Sequence, residues 1–149
     1  MKSNQAFTLM ELIIVIIVIG AMVSLALPKF NDATEQARAQ HGIQLLQHLY
    51  EAEKEYIVMH GTWAYATGTL QFTDPTPPGF NNLRFTNDPA HDPFCATIDK
   101  TGAYQYSLRV ECNNGTIECG GSTNSDGLRL CKQIANGTTI MVSSWRPWY

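Results

Sequence analysis

The sequence predicts an α+β fold in which one long N-terminal α-helix packs on a small antiparallel β-sheet. Three observations predict it: an apolar run over residues 7–27, an amphipathic stretch over residues 28–60, and short segments of strand periodicity in the last third of the chain. With 149 residues and 44% apolar content, the chain has room for one domain. We therefore expect a membrane-spanning helix, its amphipathic continuation, and an extracytoplasmic globular domain over residues 61–149.

The apolar run is long enough to cross a bilayer. At about 1.5 Å per residue, residues 7–27 form a helix of about 30 Å, which matches the hydrocarbon core. Its one charged residue is Glu11. Because a carboxylate inside a spanning helix costs roughly 2.5–3.5 kcal/mol, Glu11 is a functional hypothesis that needs a partner, and we expect that partner to be an amino terminus. The alternative is that Glu11 stays solvated near the membrane surface without a specific role.

A short polar leader, MKSNQA, precedes the apolar run. The string AFTLMEL at residues 6–12, its apolar continuation and Pro28 together resemble the N-terminal segment of type IV prepilins and the related pseudopilins. In that family a membrane peptidase cleaves before the aromatic residue and methylates the new N-terminal nitrogen. The resemblance therefore implies cleavage between Ala6 and Phe7, N-methylation of Phe7, and Glu11 as the acidic assembly residue. Ala6 departs from the family, which nearly always has Gly before the cleaved bond.

The same resemblance implies a structural subunit without catalytic activity or cofactor. It would rest in the inner membrane as a single-pass precursor in contact with lipid, and then polymerise with other copies of itself into a helical surface filament. The implied partners are a prepilin peptidase/methyltransferase and an inner-membrane assembly machinery. Stacked helices would bury the amine of Phe7 beside the carboxylate of a neighbouring Glu11, where the two charges offset one another.

Four other interpretations of the sequence remain open. Two are other functions in a filament, and two are other roles of the N-terminal segment. A pseudopilin of a type II secretion system would build a short periplasmic filament with the same N-terminal segment. A minor pilin at a filament tip would bind DNA or a surface. An ordinary secretory signal with an apolar core over residues 12–26 would release a chain that begins at Leu27, and an uncleaved single-pass anchor would keep its leader. Glu11 argues against the secretory signal, since such signals run directly from a positive start into the apolar core.

The helix is predicted to continue beyond the apolar run, from Asn31 to His60, and to end at Gly61. Pro28 is expected to kink it, because proline lacks the N–H that the helix needs. Apolar side chains recur at helical spacing and predict the face that packs on the globular part. They are Ala33, Ala37, Ile43, Leu46, Tyr50 and Ile57.

All four cysteines, Cys95, Cys112, Cys119 and Cys131, lie far beyond the apolar run. An even number in an exported domain predicts two disulfides, with three possible pairings. The pairs Cys95–Cys112 and Cys119–Cys131 are favoured because each closes a short loop. Free buried thiols or a metal site are the alternatives, although the spacing lacks the close pairs of zinc sites.

The globular part is predicted to be a loop followed by strands. Five prolines in residues 62–94 exclude a long regular element there. Alternating side chains predict a strand over residues 104–112, and Asn114-Gly115 predicts a turn into a second strand at residues 116–119. The clearest hairpin signal joins residues 128–135 to residues 138–143 through Asn136-Gly137.

No constellation of catalytic residues is recognisable. His41 and His48 lack a metalloprotease motif, and there is no glycine-rich phosphate loop. Residues 124–127 (NSDG) supply oxygen atoms but fit an ordinary turn better than a calcium loop. The two Asn-Gly-Thr sequences also fit turns better than glycosylation sites.

Nucleic acid is not favoured as a partner. The net charge is −3, which gives no electrostatic drive towards DNA. Scattered basic residues could still cluster in the fold: Lys100, Arg109, Arg129, Lys132 and Arg146. The aromatic tail over residues 145–149 (WRPWY) fits packing on the sheet at least as well as it fits a subunit contact or an adhesive surface.

Overall fold

The computed structural model describes residues 8–64, 66, 68–70, 72–85, 93–123, 125–136 and 140–144. Two helices and five strands follow one another in these residues. Their bounds are α1 Leu9–His60, β1 Phe80–Phe85, β2 Phe94–Lys100, β3 Tyr106–Glu111, β4 Ile117–Gly121, α2 Asp126–Ala135 and β5 Met141–Ser144. The chain divides into two compact units, one up to Thr34 and the other from Glu35 onward, so α1 contributes to both.

In the first unit α1 continues through Pro28. Proline cannot donate to the carbonyl four residues before it, which is that of Ser24. The neighbouring hydroxyls bond within the helix: Ser24 Oγ donates to the Ala21 carbonyl at 2.8 Å, and Thr34 Oγ1 donates to the Phe30 carbonyl at 2.9 Å. The kink expected at Pro28 stays a prediction.

The end of α1 at His60 agrees with the sequence. Gly61 has φ +72°, and its N–H donates to the Ile57 carbonyl at 2.8 Å. A residue in the left-handed region commonly ends a helix in this way, and glycine adopts it without steric cost.

In the second unit α1 packs across β1, β2 and β3. A Cβ at Gly42 would lie 2.8 Å from Leu108 Cδ1, and it would also crowd Phe80 and Ile98. Glycine therefore allows the helix to approach the sheet closely. The buried side chains of α1 include Ile43 and Leu46, as expected, together with Glu35, Ala39, Leu45, Leu49 and Glu53.

The predicted helix face is wrong at its beginning. Ala33 and Ala37 are exposed, whereas Glu35 and Ala39 are buried. A face assigned from apolar residues alone excludes a glutamate, yet Glu35 has partners inside the protein that allow it to be buried.

The five strands form one sheet in the order β1-β2-β3-β4-β5. The first three pairings are antiparallel, with Ala96 opposite Val110 and Val110 opposite Ile117. The last, β4 with β5, is parallel, with Cys119 opposite Val142. The predicted α+β class is confirmed, with a sheet that is mostly rather than entirely antiparallel.

Two local predictions are wrong. The stretch expected to be loop contains β1, a short strand whose register shifts between Asn81 and Arg84. The first arm of the predicted hairpin is helix α2, which the side chain of Ser125 caps by accepting the Leu128 N–H at 3.1 Å. Its buried Leu128, Cys131 and Ile134 recur every three residues, which is a helical spacing. Gly137 of the predicted turn and Thr138, the predicted start of the second arm, lie outside the described residues.

Both disulfides lie in the second unit. Cys95 of β2 is bonded to Cys112 just after β3, and Cys119 of β4 is bonded to Cys131 of α2. This is the pairing that the short loops favoured. The Cα atoms of each pair are 4.9 and 5.4 Å apart, within the ordinary range for a disulfide.

Candidate assembly site

The start of α1 is fixed by a reciprocal pair of side chains. Thr8 stands directly before the helix, and its Oγ1 accepts the Glu11 N–H at 3.3 Å. In return, Glu11 Oε2 accepts the Thr8 N–H at 3.5 Å. This arrangement is a capping box, which satisfies two backbone donors that the first turn otherwise leaves without partners. The carboxylate of Glu11 therefore serves its own helix in a single copy of the chain.

The surface that follows this cap is apolar and exposed. In the described part of the chain, α1 is the one helix long and apolar enough to cross a membrane, and none of its apolar window is buried. Fourteen large apolar side chains are exposed between Leu9 and Leu27. A contiguous apolar surface of this kind marks a contact with lipid or with another protein.

The remaining residues predicted for this site are placed as follows. Ala6 and Phe7, which would flank the cleaved bond, lie outside the described residues, so the contact between Phe7 and Glu11 stays a prediction. Pro28 lies inside α1. Sequence reasoning identified Glu11 but missed its pairing with Thr8, although a threonine followed three residues later by glutamate was a visible signal.

A second group of polar residues is buried where α1 meets the sheet. Oε1 of Glu35 lies 3.5 Å from Lys100 Nζ and accepts the Tyr106 hydroxyl at 3.2 Å. Oε2 of Glu35 lies 3.1 Å from Nη1 of Arg38, which is half exposed. Burial, with the carboxylate of Glu35 beside it, raises the pKa of the Tyr106 hydroxyl. This cluster joins helix and sheet by charge as well as by apolar packing.

Glu53 is the other buried carboxylate of α1. It is 1% exposed, and its Oε2 accepts the Ala64 N–H at 3.1 Å. Burial raises the pKa of Glu53, and the hydrogen bond from Ala64 offsets part of that effect. The contact ties the segment after α1 back onto the helix.

The basic residues considered for a DNA-binding cluster are mostly engaged in other contacts. Lys100 is buried against Glu35, Arg109 Nη2 lies 2.7 Å from Glu118 Oε2, and Arg129 lies 3.4 Å from Asp126. Arg146 lies outside the described residues. The described residues therefore give no support to a DNA-binding surface.

The other candidate ligands also have local roles. His48 Nδ1 lies 3.0 Å from Asp74 Oδ2, and the His60 ring stacks on Tyr56 with centroids 4.1 Å apart. Ser125 caps α2 and Asp126 is its first residue, whereas Asn124 of the same sequence lies outside the described residues. Asn114 forms the expected turn, since its Oδ1 accepts the Thr116 N–H at 2.7 Å. Among the described residues, no three His, Cys, Asp or Glu side chains converge as a metal site.

Fold and site together define a class of protein: a small disulfide-bonded α+β unit carried on a long helix whose N-terminal part is apolar and exposed. No family model matches the chain. It is 39% identical over 60 residues to the type IV major pilin protein PilE1 of Neisseria gonorrhoeae, which is 40% of this chain and 36% of that protein. A fimbrial protein of Neisseria meningitidis serogroup B is 39% identical over 60 residues, with 35% of its length covered.

A fimbrial protein of Pseudomonas aeruginosa is similar over the whole chain. It is 24% identical over 153 residues, which covers 100% of this chain and 95% of that protein. By contrast, the matches to the Neisseria proteins span about a third of their length, 36% and 35%. These similarities support the type IV pilin family, which is the family that the sequence resembled.

Proposed function

We propose that the chain is a structural subunit that polymerises through α1 into a surface filament of the type IV pilus class. The observation that carries this proposal is the exposed apolar surface of α1 from Leu9 to Leu27, which has Glu11 in its first turn. Such a surface is stable in lipid, or against the same surface of other copies, but not in water. The names of the relatives, pilin and fimbrial protein, point to the same function.

Maturation begins in the inner membrane. A prepilin peptidase/methyltransferase removes residues 1–6, cutting between Ala6 and Phe7, and methylates the nitrogen of Phe7. The capping box is compatible with this cut, because the N–H of Thr8 and the carboxylate of Glu11 both remain on the mature chain. The assembly machinery then moves the subunit from lipid into the filament.

Glu11 has two tasks in this proposal. In the single subunit it caps α1 through Thr8. In the filament it also faces the amine of Phe7 from a neighbouring copy, where a carboxylate and an amine buried together offset the cost that each would have alone. A charge pair at this depth sets the register in which the helices stack.

The test is mass spectrometry of the N-terminal peptide from sheared surface material, combined with electron microscopy of the same cells. We expect a chain that begins at Phe7 and carries one added methyl group, in fibres that contain this protein. A chain that begins at Leu27 would identify an ordinary secreted domain and overturn the proposal. Processed protein confined to the periplasm, with a defect in protein export and no fibres, would instead identify a secretion pseudopilin.

A further inference from the structure

A groove of about 480 Å³ opens between α1 and the segment that leads into β1. The helix contributes His41, Gln44, Leu45 and His48, and the segment contributes residues 74–78, which include three prolines. Leu45 and the proline rings make its wall apolar. The carboxylate of Asp74 stands on the rim, 46% exposed and 3.0 Å from His48 Nδ1.

The chemistry of this groove matches the aromatic tail, whose role the sequence left open. Residues 145–149 carry two tryptophans, one proline, one tyrosine and one cation, Arg146. Flat aromatic rings pack well on prolines and aliphatic side chains, and each buries a large apolar area. Arg146 would in turn find a carboxylate in Asp74.

The sheet places the start of the tail at the same end as the groove but at the opposite edge. Ser144, the last residue of β5, is opposite Gly121, and at that same end of the sheet Lys100 is opposite both Tyr106 and Phe80. Residues 74–78, which line the groove opposite α1, lie just before Phe80. Ser144 and Phe80 are therefore separated by the full width of the sheet.

That width is about equal to the fully extended length of the tail. Four strand spacings of about 4.8 Å give about 19 Å from β5 to β1. Residues 145–149, fully extended, reach about 17 Å. Moreover, α1 lies across β1, β2 and β3 at Gly42 and blocks the direct path over that face. To enter the groove of its own copy, the tail would have to be fully extended and to pass around α1, so the groove of a second copy is the better match.

We propose that residues 145–149 of one copy dock in the groove of a second copy, with Arg146 against Asp74 and the aromatic rings against Leu45 and the prolines. The contact joins two different surfaces, so it is heterologous and can repeat along an open helical filament. This inference rests on the proposed function, because it gives the filament a second contact outside α1.

Cross-linking in cells that make the filament tests the contact. One copy carries Thr76→Cys, at an exposed position of the groove, and a second copy with a different epitope carries Trp148→Cys. We expect a disulfide-linked dimer that carries both epitopes. The control replaces Thr76→Cys with Gln47→Cys, an exposed residue of α1 that does not line the groove, and we expect loss of that dimer. Normal filaments without the dimer, or a cross-link only within one chain that carries both cysteines, would overturn the proposal.

A second measurement does not depend on filaments, so the two proposals can fail separately. A synthetic peptide of residues 143–149 is titrated against the full chain lacking residues 145–149 in detergent micelles. We expect the NMR signals of the His41 and His48 rings to shift on binding. The Arg146→Glu peptide should bind about fivefold more weakly, since exposed ion pairs are worth up to about that factor. Unshifted histidine signals at millimolar peptide would disprove docking even if filaments are normal.

Discussion

The ammonium group of Lys100 lies 3.5 Å from Oε1 of Glu35, and both side chains are more than nine-tenths buried. Glu35 belongs to α1 and Lys100 ends β2. A buried ion pair costs desolvation on both sides, so its net contribution to stability is small, but either member alone is strongly unfavourable. The pair therefore fixes which turn of α1 faces the sheet.

Glu35→Gln should destabilise the protein by about 3–5 kcal/mol, because it leaves Lys100 charged and buried without a carboxylate. Adding Lys100→Met should recover most of that loss, since glutamine still accepts the Tyr106 hydroxyl and no buried charge remains. Urea unfolding of the single and double variants measures both effects. Glu51→Gln is the control: its partner Lys54 is 3.9 Å away and both side chains are exposed, so we expect a change below about 1 kcal/mol. Equal stability of Glu35→Gln and of the double variant Glu35→Gln with Lys100→Met would contradict the assignment of Glu35 and Lys100 as a buried ion pair.

Glu53 should make the protein less stable as pH rises. Burial raises its pKa, so the folded chain holds this proton to a higher pH than the unfolded chain does. The free energy of unfolding therefore falls as pH rises from the ordinary glutamate pKa through the raised one, and is constant above it. Glu53→Gln keeps an oxygen for the Ala64 N–H and should remove this fall, which makes the variant more stable than the wild type at neutral pH.

The measurement is urea unfolding of both proteins between about pH 4 and 8, with the difference plotted against pH. Glu55→Gln, at an exposed position of the same helix, is the matched control and should show a flat difference. A flat difference for Glu53→Gln as well would mean that folding does not raise the pKa of Glu53.

The two tasks of Glu11 can be separated by substitution. Glu11→Gln keeps an oxygen for the Thr8 N–H and loses the charge, whereas Thr8→Val removes the acceptor for the Glu11 N–H and keeps the charge. If assembly needs the charge, Glu11→Gln should yield few filaments. Thr8→Val should assemble, with a cost of about 1 kcal/mol at the first turn. Filament yield from sheared cells, normalised to processed subunit, decides between them. Normal yield from Glu11→Gln would show that capping alone is its role.

Gly127 should tolerate no side chain. A Cβ there would lie 1.9 Å from the carbonyl oxygen of Gln105, and backbone cannot move aside as a side chain tip can. Gly127→Ala should therefore displace α2 and cost about 3 kcal/mol, the upper part of the range for overpacking. Gly20→Ala is a matched helical control, since no atom lies within 4 Å of its Cβ position. Thermal unfolding measures both, and an unchanged midpoint for Gly127→Ala would show that α2 packs differently.

Much of the fold was predictable because its signals are local. Gly61 ends α1 by its left-handed conformation, and the alternation before Cys112 predicts β3. The errors arise where a tertiary contact overrides a local signal. Asn136-Gly137 is a strong hairpin signal, but Ser125 starts a helix upstream and the bond from Cys131 to Cys119 holds that helix on the sheet.

The residues of the candidate site also divide into those that a local signal reveals and those that depend on tertiary contacts. A carboxylate in an apolar run is visible in the sequence, so Glu11 could be found. Glu35 could not, because its burial depends on Lys100 and Tyr106, more than sixty residues away. The groove at Asp74 could not be found from the sequence either, because it exists only where a proline-rich segment lies along α1.

The bond between Cys119 and Cys131 also bears on how the protein answers a mechanical load. Tension applied beyond Ser144 first acts along β5, whose parallel hydrogen bonds to β4 share it in shear. If β5 detaches, the chain can extend only as far as Cys131, where the disulfide passes the load covalently into β4, the neighbour of β5 in the sheet. Residues 132–144 then set the length of the tether, about 45 Å when fully drawn out. The far end of the subunit can thus stretch and recoil while β1 to β4 stay folded.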